Sequence, residues 1–188
     1  MEKKQTWSDD YSKSSPVGFM LRETYPNRWL RIHSLEKSKR YADSRAEEEE
    51  LLFRHSESAK HVLDTNNLML FVSIYDDTPE APLNGPGWLE HFNFRVFESI
   101  NIAEDDEDDP YYLVTYGAEF KWDESLFQKI ILDVGKENVG PVALLSKVSK
   151  GVFAPYDGGA DLFYINEDKK LEAKTSFKTW ISAREDGL

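Results

Sequence analysis

An α+β domain, a mainly antiparallel sheet with helices packed on one face, is the fold class this sequence predicts. Two observations carry it. Apolar residues recur at helical spacing in capped segments, and short β-favouring runs follow one another with turn signals between them. The chain of 188 residues has the length of one ordinary domain, able to bury roughly 70% of the surface its unfolded form exposes. A hydrophobic content of 40% and an aromatic content of 13% support a packed core, since disordered acidic chains are poor in aromatics.

Residues 1–16 are polar and end at Pro16, so they are expected to trail as a flexible tail, with residues 17–188 forming the domain. Phe19, Met20 and Leu21 suit a short helix that stops before Pro26, because the residue preceding a proline avoids helical backbone. Residues 28–33 read as a short strand with Ile32 between Arg31 and His33. The strongest local signal is a long helix from Asp43. Asp43 or Ser44 caps it, Glu47 to Glu50 meet the positive end of its dipole, and Leu51, Leu52, His55, Ala59, Val62 and Leu63 form a stripe. Asn66 and Asn67 end it, and residues 68–75 read as a central strand. Pro79, Pro82, Gly85, Pro86 and Gly87 mark a loop of some length.

Residues 92–102 and 111–120 are two aromatic strand regions that should form a hairpin. A helix over 123–135 follows, capped by Asp123, with Leu126, Phe127, Ile130, Ile131 and Val134 on one side. Residues 141–145, 152–155 and 160–165 read as short strands. The last helix is expected over 167–183, with Leu171, Phe177, Trp180 and Ile181 inward. There is no internal repeat and no sign of a second domain.

Charge narrows the partner more than it narrows the chemistry. The net charge is −12, and Glu104, Asp105, Asp106, Glu107, Asp108 and Asp109 stand in unbroken succession inside the hairpin connection. Two unit charges about 7 Å apart in water repel by roughly 0.6 kcal/mol, so the run must be solvated. It reads either as an inert surface loop or as a docking surface for a basic partner. A calcium loop does not fit, because the sixth position lacks glycine and Tyr116 falls where the bidentate Glu belongs. Between Arg28 and Arg40 the sign reverses: Arg28, Arg31, Lys37, Lys39 and Arg40 face only Glu36, with His33 able to add charge below about pH 6.5. Intramolecular pairing is the plain reading of that strip, and an anion site the sharper one. Nucleic acid is not expected as a partner, since the global charge opposes phosphates.

Tyr156-Asp157-Gly158-Gly159-Ala160-Asp161 reads as a tight turn whose glycines supply positive φ. Alternatively Asp157 and Asp161 form a carboxylate pair beside Tyr156. His33, His55, His61 and His91 show no metal-ligand spacing and there is no cysteine, so no metal, cofactor or disulfide is expected. Nucleophile-elbow and glycine-rich phosphate-binding motifs are missing as well. Lys3 and Lys4 precede no apolar stretch, and no run approaches about 18 apolar residues, so a soluble, cytoplasmic protein without membrane contact is expected.

Tyr25-Pro26-Asn27-Arg28-Trp29-Leu30-Arg31-Ile32-His33-Ser34-Leu35, Ser38-Lys39-Arg40-Tyr41, Phe153-Ala154-Pro155-Tyr156-Asp157-Gly158-Gly159-Ala160-Asp161, and Trp180-Ile181-Ser182 with Gly187-Leu188 resemble a bacterial family known only as a domain of unknown function. The resemblance spans nearly the whole chain from about residue 17 and transfers no activity and no catalytic residue. It implies a bacterial source, and small acidic proteins of this kind look like immunity proteins that neutralise toxins. Nucleic-acid-directed toxins are commonly basic, and an acidic inhibitor can steer onto them.

The expectation is therefore a non-catalytic acidic binding protein, most concretely a cytoplasmic immunity protein neutralising a basic toxin. The 104–109 run would steer, and Trp88, Tyr111, Tyr112 or Tyr156 would anchor, with Asp157 and Asp161 contributing charge. A housekeeping or regulatory interaction domain stands beside this reading. So does an enzyme, whose least implausible cluster is Arg31, His33, Arg40, Asp157 and Asp161 if the two segments converge.

Overall fold

The computed structural model describes residue 7 and residues 9–103, 110–182, 184 and 187. Its strands are β1 Trp29–His33, β2 Leu68–Asp76, β3 Arg95–Asn101, β4 Tyr112–Phe120, β5 Val142–Ser146, β6 Val152–Tyr156 and β7 Gly159–Phe163. They form one sheet in the order β1-β7-β6-β5-β2-β4-β3, every neighbouring pair antiparallel. The α+β class holds, and β2 lies inside the sheet, as its largely apolar run requires. The acidic run falls in the β3–β4 connection, outside the described residues.

Helices α1 Gly18–Thr24, α2 Arg45–Leu63, α3 Glu124–Gly135 and α4 Glu167–Ser176 complete the framework. Side-chain caps start three of them: Ser44 Oγ accepts from Glu47 N, Asp123 Oδ1 from Leu126 N and Asn166 Oδ1 from Lys169 N. Because strand side chains alternate, the sheet has two separate faces. On the first, Leu30, Ile32, Leu70, Val72, Leu144, Phe153 and Leu162 meet Leu51, Ala59, Val62 and Leu63 of α2 and Phe127, Ile130, Ile131 and Val134 of α3. The stripes expected from the sequence thus do the packing.

The expectation of helices on one face did not include the second face, which is covered as well. Trp7 and Tyr11, assigned by sequence to a loose tail, are 4% and 0% exposed and pack with Leu21 of α1 on Met69, Phe71, Ala143, Leu145, Val152, Ala154 and Phe163. Trp7 stacks on Tyr11 at 4.9 Å and meets Phe71 edge-on at 5.4 Å. The Tyr11 hydroxyl donates to the Lys150 carbonyl at 2.8 Å, Arg28 donates to the Asp10 carbonyl at 3.2 Å, and Lys150 pairs with Asp10 at 3.3 Å. Residues 7 and 9–16 therefore act as a strap, because two aromatic rings give this polar stretch enough apolar surface to repay its ordering.

Two other expectations are corrected. The last helix stops at Ser176 rather than continuing to 183. Leu171 points to solvent at 64% exposure, while Phe177 is buried and stacks on Trp180 at 4.9 Å. Nor do Gly158 and Gly159 adopt positive φ. Gly159 is needed for closeness instead: a Cβ there would collide with the Ile32 carbonyl oxygen of β1. Gly159→Ala is accordingly expected to lower unfolding free energy by about 3 kcal/mol, read from the urea midpoint at unchanged m-value.

His55 is fully buried and shares a 2.9 Å hydrogen bond with Ser34 Oγ, while its Nδ1 has no partner. Burial lowers its pKa to about 3. Burial also lowers His33, helped by the charges of Arg31 and Arg54, and lowers His61. Unfolded histidines protonate near pH 6.5 while folded His55 stays neutral until about pH 3. The folded state therefore keeps this stabilisation above pH 6.5 and loses it as pH falls through that window, by about 1.4 kcal/mol per pH unit for a single such histidine. His55→Gln should flatten the fall in unfolding free energy between pH 7 and pH 5, measured by urea titration at each pH.

Candidate binding surface

The residues singled out at 28–33 and 156–161 meet because β1 pairs with β7 and β7 with β6, placing Arg31 opposite Asp161 and Asp161 opposite Ala154. Arg31, Asp161 and Ala154 face the second side of the sheet. Asp161 accepts from Arg31 Nε at 2.8 Å and Nη2 at 2.9 Å, and from Trp29 Nε1 at 2.7 Å. The Arg31 guanidinium lies 4.4 Å from the Tyr156 ring centre and 5.5 Å from that of Trp29. Burial opposes the charge of Arg31, but the Asp161 carboxylate outweighs it and raises the pKa. Burial likewise pushes the Tyr156 phenol up to about 12.

Above this floor lies a cleft of about 540 Å³. One side is α1, whose Gly18 lies so close to Ala154 that an added Cβ would stand 3.0 Å from that side chain. The other is the segment after α3, with Glu137, Val139, Gly140 and Pro141. It is drawn against β2 by a hydrogen bond from Ser73 N to the Pro141 carbonyl, and a Cβ on Gly140 would collide with the Ser73 carbonyl oxygen. Phe19 and Tyr75 line the mouth, each 42% exposed. Tyr75 stacks on Tyr111 at 6.2 Å and 13°, and Tyr111 is 47% exposed. The Ile102 amide donates to the Tyr111 carbonyl at 2.7 Å. The connection carrying the six carboxylates therefore leaves the sheet beside this aromatic pair.

The remaining expected site residues separate. Trp88 drops out as an anchor: it is 5% exposed, and its indole donates to Asp133 at 2.9 Å. It belongs to the first-face core. Tyr112 is half-buried and pairs with Asp76, on the face opposite Tyr111. Tyr156, Asp157 and Asp161 all line the cleft. Asp157 accepts from Arg40 at 3.2 Å and from the Tyr41 hydroxyl at 3.3 Å, and that carboxylate is the main reason the Tyr41 pKa is raised. The basic strip is largely occupied within the chain: Arg31 and Arg40 hold Asp161 and Asp157, Lys39 holds Asp43 and Glu47, and Arg28 lies over Tyr25.

Arg31, His33, Arg40, Asp157 and Asp161 do converge at one end of the sheet, as an enzyme would need. They converge as pairs. Asp161 spends both oxygens on Arg31 and Trp29, and His33 is buried beside two cations. Among the described residues no three of His, Asp or Glu gather as metal ligands, and no helix is long and apolar enough to cross a membrane. Sequence reasoning missed Phe19, Tyr75 and Glu137 as lining residues. A signal existed for Tyr75 alone, as the end of the alternation Phe71, Ser73, Tyr75.

The fold and this surface define a class: an antiparallel α+β domain with an ion-paired cleft on the second face of its sheet. The chain belongs to the family described as Domain of unknown function (DUF3885), whose model matches residues 17–185. The strap at Trp7 and Tyr11 lies before the matched segment. No curated protein and no solved structure matches the chain.

Proposed function

We propose that this is a non-catalytic binding protein that captures a basic protein through the second face of its sheet, acting in the bacterial cytoplasm as an immunity protein against a basic toxin. The observation that carries the reading is the exposed aromatic pair Tyr75 and Tyr111 beside the exit of the acidic connection, next to the cleft. Rigid aromatic surface supplies binding energy at low entropic cost, and the carboxylates of the 104–109 run supply attraction at long range. The net charge of −12 extends that attraction over the whole molecule. Aromatic anchors and steering charge are the two parts of an interface that must form fast and hold.

Co-expression with the protein encoded beside this chain tests the proposal. The expected result is a complex that co-purifies at low salt, weakens at high salt and protects cells from that neighbour. Growth unaffected by the neighbour, with no complex at either salt, removes the toxin pairing.

A further inference from the structure

The proposed function leaves the cleft without an occupant, and its lining narrows the choice. The walls are apolar and aromatic: Val17, Phe19, Tyr75, Ala154, Pro155 and Tyr156. Acidic groups stand at the edge. Glu137 is exposed on the segment after α3, and Asp157 sits at the β6–β7 turn. Asp157 accepts from the Tyr41 hydroxyl at 3.3 Å, and the charge of Asp157, with a smaller contribution from Glu137, raises that hydroxyl's pKa. Among the described residues the one cation of the lining, Arg31, is held by Asp161.

Neither a small anion nor a plain apolar side chain suits this arrangement. An anion would meet Glu137 and Asp157 at the entrance, and an apolar group would leave Glu137 without a counter-charge, while Asp157 already shares Arg40 and the Tyr41 hydroxyl. An arginine side chain satisfies all the surfaces. Its aliphatic stem lies along apolar walls, its planar guanidinium stacks on an aromatic face, and its fork of donors matches a carboxylate. The floor already shows such a stack, since Arg31 lies 4.4 Å from the Tyr156 ring centre. A volume of about 540 Å³ is ample for one such side chain and falls in the usual range for ligand clefts.

Building on the binding reading, we infer that the cleft is an arginine receptor: one arginine of the basic partner inserts between Phe19 and Tyr75 and bonds Glu137 and Asp157. The acidic run then recruits the partner, and the cleft selects its register. Lysine is a poorer fit, because its compact ammonium neither stacks nor bridges two carboxylates as a plane does.

The test uses the full chain and a probe that needs no partner. Acetyl-arginine-amide is titrated against the isotope-labelled protein, with acetyl-lysine-amide and acetyl-glutamate as controls, and backbone amide shifts are followed by NMR. The expected result is saturable shifts confined to residues around Phe19, Tyr75, Glu137 and Asp157, with arginine binding tightest and glutamate not at all. Glu137→Gln and Tyr75→Ala, both at exposed positions, should each weaken arginine binding about fivefold to tenfold. Equal, non-saturating shifts for arginine and lysine spread over the acidic surface overturn the inference.

The partner complex separates this inference from the reading on which it rests. A complex that forms with wild-type affinity when Glu137→Gln and Tyr75→Ala are combined overturns the cleft and leaves the binding function standing. Saturable arginine binding at the cleft, with no complex from the neighbouring gene, supports the cleft and removes that partner.

Discussion

Trp7→Ala should lower the unfolding free energy by about 3–5 kcal/mol, the usual cost of deleting a buried tryptophan side chain. Trp7 is 4% exposed, stacks on Tyr11 and closes over Phe71. Removing the ring leaves a void over the second core and frees Tyr11 from its stack. The effect should exceed that of Leu171→Ala, which removes a large side chain that is 64% exposed and should change stability by no more than about 0.5 kcal/mol. Urea denaturation followed by circular dichroism checks both. An unchanged midpoint for Trp7→Ala would mean that the strap merely rests on the sheet.

Asp161→Ala is the second large loss, again about 3–5 kcal/mol, because it strands the Arg31 charge where little solvent reaches it. The two side chains are only 13% and 5% exposed. Trp29 Nε1 loses its acceptor in the same substitution. Pairing Asp161→Ala with Arg31→Met should recover much of the loss, since an apolar pair of similar volume carries no desolvation penalty. A double-mutant cycle measured by urea titration separates this from simple loss of packing. Additive single and double effects would show that the two residues are not coupled, contradicting the bidentate geometry.

The parts of the fold legible in the sequence were those where local and tertiary preferences agree. Ser44 and Asp123 cap helices whose apolar stripes meet the sheet, and the apolar, β-favouring run at residues 68–75 announces a central strand. The strap was hidden because its signal is two aromatic residues four apart among polar ones, and only the sheet supplies the surface that makes them pay. Trp88 misled for the converse reason: an isolated tryptophan in a proline-rich stretch looks exposed, yet Asp133 gives its indole a buried acceptor. The turn at residues 157–159 was placed correctly and explained wrongly. Gly159 answers to the closeness of β1, a strand more than 120 residues earlier, which no local rule could show.

Of the candidate surface, the sequence exposed the ingredients and not their assembly. Arg31, Asp157, Asp161 and Tyr156 stood out one by one, but their juxtaposition depends on the β1–β7–β6 pairing. Pairing also sets Arg31 and Asp161 as a bidentate ion pair at the floor of the cleft. Tyr111 is exposed at the hairpin start. Glu137 carried no sequence signal beyond being one acidic residue among 35.

The association rate constant with the neighbouring gene's product, measured by stopped flow across a range of ionic strength, tests the central claim most directly. Wild-type chain should associate rapidly at low salt and slow steeply as salt rises, because screening shortens the reach of its charge. Reversing the charges of residues 104–109 should slow association and flatten that dependence with little change in the dissociation rate. Replacing Tyr75 and Tyr111 with alanine should do the opposite, raising the dissociation rate and sparing association. Association and dissociation rates that are unaffected by either set of substitutions would contradict the assignment of this surface as the partner's docking site.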